Sequence, residues 1–384
     1  MTKNLLAILL GFVVVFIGAA GAEVYCRVTG KKAKVSIPYP GPQVAVTSPE
    51  GKVSEQFIME LEASPVAKWK SQLSPSERGI KYREGVEKVG VYLGCIMCPE
   101  LLPEGRYTMT ASSKISHKLI YDIHFNVDSH NRRRTPVSLE ATQAIVMFGD
   151  SVTFGEGVED AETAPYFLAE LRKDTQVLNM GMSGSGPGEF LFEVSQKPFV
   201  RLADLSQKKK IFIYTFIDDH MERMICRSNC MDNDRAWVRN KPYYEDVDGV
   251  PEFRGTFEDR VFLNTVYRGL RKSAFLNAND VIFPPFFSGK HFDFFAAMME
   301  QGQKNLQKNF PGSEFYVVFF PGRSGSYGAA AAQACKERGL KVLNYDSIDV
   351  YTLTGRRDHV IGDGHPSPLT HYIFAKLLHR DLPR

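Results

Sequence analysis

At 384 residues, 43% of them hydrophobic and 24% charged, the chain can bury a full core with room for one large domain and a smaller one, which excludes a disordered or fibrous protein. The net charge is only +3, and the basic clusters Arg132-Arg133-Arg134 and Lys208-Lys209-Lys210 are short and lack interleaved aromatics. That pattern gives no nucleic-acid footprint, so no nucleic-acid partner is expected.

The first element is the apolar run Leu5 to Ala22, which follows Lys3 and ends in the small-x-small pattern Ala20-Gly21-Ala22. Export follows, with residues 1–30 read as a signal peptide or a membrane anchor, because the run is also about long enough to span a bilayer. Arg27, Lys31, Lys32 and Lys34 come after the run and only Lys3 before it. The positive-inside rule conflicts with a simple anchor there, and the conflict favours cleavage. The expected place is extracytoplasmic, periplasmic or secreted, with membrane contact through residues 5–22 if they are retained.

Six cysteines suit an oxidising compartment and fall as Cys26, Cys95 with Cys98, Cys226 with Cys230, and Cys335. Disulfides and a four-thiolate zinc site both remain open on spacing, although the two close pairs lie far apart. Cys335, in an alanine-rich helical stretch, reads as a buried thiol.

Residues 31–137 are rich in Pro, Gly, Ser and Thr, and Arg106 to Thr110 and Leu119 to Val127 alternate, so a small β-rich accessory region is expected. Arg132 to Pro136 reads as a polar approach to the next segment. From Ala141 the pattern changes. Apolar runs at Ala144 to Phe148, Gln176 to Asn179, Lys210 to Tyr214, Phe315 to Phe320 and Lys341 to Leu343 alternate with helical stretches at Thr163 to Lys173, Phe292 to Lys308, Ala329 to Arg338 and His371 to Leu378. Such alternation predicts an α/β domain over 141–384 with a central parallel sheet covered on both faces. The stretch at about 226–289 exceeds an ordinary connection and reads as an insertion that supplies a lid or binding surface.

Chemistry concentrates just past the strand ends, where parallel sheets bind ligands. Gly149-Asp150-Ser151 offers a reactive serine at the start of a helix, where amide N–H groups face developing negative charge. Asn179 to Gly188 is dense in glycine, which lets backbone amides approach a ligand closely, and its spacing departs from the dinucleotide-binding fingerprint. Gly362 to Pro368 carries Asp363 and His365 on one loop, the base and the orienting acid that acyl transfer needs.

These blocks, with Val152-Thr153-Phe154-Gly155-Glu156-Gly157-Val158 after the serine, resemble the SGNH, or GDSL, hydrolases and acyltransferases, in particular exported bacterial members with an N-terminal membrane segment. The resemblance covers about Ala141 to Leu382. It implies a flavodoxin-like three-layer sandwich in which Ser151 attacks an ester carbonyl, His365 takes its proton and Asp363 orients His365. The amides of Ser151 and Gly184 would stabilise the oxyanion, and no metal or organic cofactor is required. In place of the family's third-block Asn stands Asp218, and an ionised carboxylate cannot donate to an oxyanion. Three readings follow: Asp218 is protonated, Arg223 or another donor substitutes, or activity is reduced. His220 is either a local polar substitute or a surface partner of Asp219. The final block is also shorter than in many relatives, Asp-x-His in place of Asp-x-x-His.

The function expected is an exported serine esterase or O-acyltransferase whose partner is an ester-bearing small molecule, glycan or lipid. The competing expectation is a catalytically inactive SGNH domain that binds polysaccharide or joins an envelope assembly.

Overall fold

The computed structural model describes residues 102–384 apart from 114–118, 197–199, 208, 323–326, 351–352, 354–358 and 361–362, together with 86–90, 23–24 and 26–27. The leader at residues 5–22, most of the accessory region before residue 102, Cys95, Cys98 and Gly362 lie outside the described residues. No helix among the described residues is long and apolar enough to cross a membrane.

Three antiparallel strands come first: β1 (Val86–Gly90), β2 (Gly105–Ser113) and β3 (Leu119–Val127). Then β4 (Gln143–Phe148), β5 (Thr175–Asn179) and β6 (Lys209–Phe216) alternate with helices, the hairpin β7 (Pro242–Val247) and β8 (Val250–Thr256) lies inside the insertion, and β9 (Glu314–Phe319) and β10 (Lys341–Asn344) close the series. All five apolar runs are strands. They form one parallel sheet in the order β5-β4-β6-β9-β10, the doubly wound order of flavodoxin-like folds.

The strands read as unbroken apolar runs because both faces are covered. Val146, Phe148, Phe212, Tyr214, Phe216, Phe315 and Phe319 point to one face, where α3 (Pro187–Glu193), α4 (Asp219–Ile225), α7 (Gly289–Asn309) and α8 (Gly328–Glu337) pack. Ile145, Met147, Ile211, Ile213 and Val318, one residue out of step, point to the other face under α2 (Ala164–Leu171) and α9 (Pro368–Asp381). The last helix begins three residues before the expected His371, because Ser367 caps it and Pro368 fits its first turn.

The insertion holds short 3-10 turns, the β7-β8 hairpin, α5 (Val261–Arg271) and α6 (Ala274–Ala278). It is fastened to the domain by a buried ion pair between Lys241 and Glu189, and Cys226 and Cys230 lie in its own apolar cluster with Val238 and Phe257. Cys26, Cys226, Cys230 and Cys335 are buried free thiols.

The accessory strands are joined to the main domain. Tyr121, Ile123, Phe125 and Val127 form a core with Phe154, Val158 and Val360, all close to the nucleophile turn or the histidine loop. The expected polar approach at Arg132 to Arg134 is corrected here: Arg132 and Arg133 are 4% and 2% exposed. The backbone of Arg133 bridges Val127 and Asn179, so it stitches the small sheet to β5. Its guanidinium donates to the carbonyls of Phe154, Gly155 and Val158 at 3.0, 2.6 and 2.7 Å, pairs with Asp160 at 2.7 Å, and stacks on Phe125 and Phe154. A cation buried this deeply is tolerated only when its donors are met, and here all three guanidinium nitrogens have partners. Arg133→Met is therefore expected to lower unfolding free energy in urea by about 3–5 kcal/mol, and a loss under about 1 kcal/mol would contradict the clamp.

Candidate active site

β4 ends at Phe148, and Gly149-Asp150-Ser151 turns directly into α1 (Ser151–Phe154), which puts the Ser151 side chain at the carboxyl edge of the sheet. The Asp150 carboxylate caps this helix by accepting the Val152 amide at 3.0 Å. Gly155, at φ 88°, ends it after one turn in the left-handed conformation that glycine adopts freely. The loop after β5 presses against the same turn. Met182 N donates to Gly149 O at 3.1 Å, and a Cβ on Gly181 would sit 2.2 Å from the Phe154 nitrogen, so glycine there serves close approach.

His365 arrives from the loop before α9, held by the Val360 amide, which donates to the His365 carbonyl at 2.6 Å. Its Nε2 is 2.9 Å from Ser151 Oγ, and its Nδ1 is 2.5 Å from Asp363 Oδ2. The shortened Asp-x-His block therefore still brings acid and imidazole together. The Asp363 side chain is 2% exposed and that of His365 16%, so the carboxylate works in a shielded site while the imidazole edge stays reachable. Among the described residues the amides of Ser151 and Gly184 donate to no acceptor, which leaves both able to receive an oxyanion.

Behind the serine lies a buried charge network. Burial alone would raise the Asp150 carboxyl, but the Arg223 guanidinium and the His220 ring hold it well below the usual carboxylate range. Arg223 donates to Asp150 Oδ2 at 2.6 Å and to the Ser185 carbonyl at 2.8 Å. His220 is fully buried, with Nδ1 2.9 Å from the Tyr214 hydroxyl and Nε2 3.5 Å from Asp150 Oδ2, so the reading of His220 as a surface partner of Asp219 is corrected. Arg223, offered as a substitute oxyanion donor, spends these bonds on Asp150 and on the backbone of the glycine-rich loop.

Asp218 stands at the N-cap of α4, within electrostatic reach of Asp346. Burial, and then the charge of Asp218, push the Asp346 carboxyl up to about 7. Near neutral pH Asp346 is thus partly protonated beside Asp218, and a carboxyl can donate only while protonated.

Two groups near the imidazole carry no role in the motif reading. Glu156 is 5% exposed, accepts from Ser183 Oγ at 2.7 Å and lies 3.7 Å from His365 Nε2. Tyr121, from β3, is held well above the ordinary phenol range by burial and then by the charges of Asp363 and Glu156. The only sequence sign of Glu156 is its place five residues after Ser151, and Tyr121 has none. Donor atoms of Glu156, Asp363 and His365 lie within 4.8 Å of one another, close enough for a cation. A cation there would take the imidazole away from Ser151, so the geometry suits proton transfer better than metal binding.

The arrangement places a hydroxyl, an imidazole within direct reach and a carboxylate on its far nitrogen in one line, the geometry that acyl transfer uses. No family model matches the sequence, and no curated protein matches it. Similar solved structures include a member of the lipolytic protein G-D-S-L family from Veillonella parvula DSM 2008, 10% identical over 63% of this chain and 99% of that one, with a TM-score of 0.34. A structure described as a lipolytic protein of G-D-S-L family from Desulfitobacterium hafniense DCB-2 is 12% identical over 62% and 98%, at 0.32. An acetyl xylan esterase from the rumen bacterium Butyrivibrio proteoclasticus is 11% identical over 65% of each chain, at 0.34. Overlaps this loose say nothing about chemistry, which rests on the distances around Ser151.

Glu156→Gln keeps the size and the bond from Ser183 but removes a charge that favours the imidazolium formed during attack. It is expected to lower kcat about tenfold with KM little changed, and unchanged kcat would remove Glu156 from the reaction. Asp346 keeps its proton to about pH 7 in the folded chain and loses it near 4 when unfolded, so folded stability falls as pH rises through that window. Asp346→Asn should abolish the fall, opening a gap on the order of 2 kcal/mol between pH 5 and pH 8 in urea unfolding. Parallel pH curves for the two proteins would contradict it.

Proposed function

We propose that the protein is an exported serine esterase or O-acyltransferase that acts on ester-linked acyl groups of a glycan or lipid. The observation that carries the reading is the Ser151 Oγ to His365 Nε2 distance of 2.9 Å, with Asp363 on the far nitrogen. Ser151 Oγ attacks the ester carbonyl while its proton passes to Nε2, and Asp363 steadies the resulting imidazolium. Negative charge on the carbonyl oxygen is met by the amides of Ser151 and Gly184. The intermediate collapses to an acyl-serine, and the departing alcohol takes the proton from Nε2. Water, or a second hydroxyl compound, then gives its proton to Nε2 and attacks the acyl-serine; the bond from the acyl carbon to Ser151 Oγ breaks, Oγ takes the proton back from Nε2, and hydrolysis differs from acyl transfer only by the identity of that acceptor.

Export is supported by the Leu5 to Ala22 run. A glycan or lipid substrate is supported by Trp237, 38% exposed, whose ring lies 6.0 Å from the Arg223 guanidinium beneath the serine turn. A flat exposed aromatic beside a catalytic turn suits a sugar face or an acyl chain.

The second reading, a domain that binds without turnover, draws on Asp218, which supplies negative charge where the family pattern has a donor. Short-chain p-nitrophenyl ester hydrolysis and labelling by a fluorophosphonate separate the two. Ser151→Ala is expected to abolish labelling and lower kcat by on the order of a thousandfold or more. A folded protein that neither labels at Ser151 nor hydrolyses any ester would favour the binding domain.

A further inference from the structure

α5 is one of the most amphipathic segments of the described chain, and its outer face is apolar. Val261, Phe262 and Val266 are 73%, 83% and 40% exposed. With Thr265 and Gly269, both also exposed, they recur at the one-, four- and five-residue steps that fill one side of a helix. Asn264 and Tyr267 face inward and anchor the helix, the former through bonds from its Nδ2 to the carbonyls of Phe257 and Glu258 at 2.7 and 3.2 Å. Lys272, exposed, lies about three turns after Val261 and so ends the same stripe. Monomeric proteins seldom leave such a face bare without a partner for it.

Its place in the chain says what that partner is. Glu23 follows the apolar run Leu5 to Ala22 directly, and its carboxylate is docked at the junction of α5 and α6. It accepts from Ser273 Oγ at 2.6 Å and from the amides of Ala274 and Phe275 at 2.8 Å each. These bonds to the exposed end of a helix hold the Glu23 carboxyl down at about 2. Arg27 donates to the Lys272 carbonyl at 3.1 Å, and Val24 between them is 61% exposed. No linker therefore separates the apolar run from α5. An 11-residue helix is about 16 Å long, so its whole outer face lies within about 20 Å of the residue where the run ends.

Against the cleavage that the flanking charges favour, and on the docking of Glu23 and Arg27 at the end of α5, we propose that Leu5 to Ala22 stays in the bilayer as an anchor and that the outer face of α5 rests on the same leaflet, with Phe262, Val261 and Val266 entering the boundary between headgroups and acyl chains. Arg268 and Lys272 border the stripe and face lipid phosphate, the arrangement of an interfacial amphipathic helix. The proposal rests on the exported reading above and adds an orientation: the insertion lies on the membrane, so the catalytic edge that it adjoins is held at a fixed height over the lipid surface.

The test uses the full chain, reconstituted in vesicles of roughly three parts phosphatidylcholine to one part phosphatidylglycerol, with or without bromine on the acyl chains. Phe262→Trp adds one reporter on the stripe. Leu139→Trp, at a position 95% exposed just before the amino end of β4, is the control at the other end of the sheet. Bromolipid is expected to quench roughly half of the added emission from Phe262→Trp and none from Leu139→Trp, with hydrolysis of a soluble ester unchanged in both. Vesicles that carry the protein on flotation without quenching Phe262→Trp would overturn the docking and leave the anchor standing. That result would assign the stripe to residues 31–101 of the same chain or to a protein partner. Protein that stays behind when the vesicles float would overturn anchor and docking together, while Ser151 labelling reports separately on the chemistry.

Discussion

A contact of 2.9 Å joins two side chains 214 residues apart in sequence, the Ser151 hydroxyl and the His365 imidazole, and the rest of the molecule is arranged so that this contact can form. Parallel strands all release their chain at one edge. With the order β5-β4-β6-β9-β10, chain direction over the sheet reverses beside β4, and the crevice that opens there is the natural seat for a ligand. Ser151 leaves β4 into that crevice, the glycine-rich loop leaves β5 on one side, and the loop before α9 crosses from the other end of the chain. Each loop is fixed by its own bonds, so the proton transfer needs no reorganisation of the backbone.

Several carboxyl groups crowd this edge, and what each can do follows from its partner. Asp150, next to the nucleophile, is neutralised by Arg223 and touched by His220, so it serves as cap and charge anchor rather than as a rival base. Asp363 faces the imidazole nitrogen turned away from Ser151, where a negative charge favours proton uptake on the near nitrogen. Glu156 looks at the near nitrogen itself from 3.7 Å, too far for a hydrogen bond and close enough for its charge to act. Asp346 is held protonated to higher pH by burial and by the charge of Asp218 beside it, so it is the carboxyl of this edge that changes charge near neutrality.

The layout of the large domain was legible because apolar runs and helix caps are local signals. The five runs are strands within a few residues of the expected bounds, and the motif blocks lie at the carboxyl ends of β4 and β5 and before α9. What the sequence could not disclose are pairings across long separations. Arg133 reads as one of three surface cations, since nothing near it in the chain shows that Asp160 and three carbonyls await it. His220 beside Asp219 reads either as a local polar substitute or as an exposed pair, since nothing near it shows that Asp150, well upstream, lies 3.5 Å from its ring. Asp346 carries no motif at all, and its shifted carboxyl arises from burial beside a residue far upstream.

The accessory strands change the meaning of the domain boundary. Motif resemblance begins near Ala141, which would leave the earlier residues as an appendage. Yet Phe125 meets Phe154 edge-on at 5.3 Å, Tyr121 packs against Gly157 and feels the charges of Asp363 and Glu156, and the Arg133 guanidinium donates to the carbonyls at the end of the nucleophile helix. Helix α1 is a single turn, too short to hold itself by internal bonds. Its geometry is imposed from outside, by Asp150 at its start and Arg133 at its end. A domain cut at residue 141 would keep the triad in sequence and lose one of the two clamps that aim the serine, so the working unit begins with the strand that carries Tyr121 and Phe125 and the segment after it that carries Arg133.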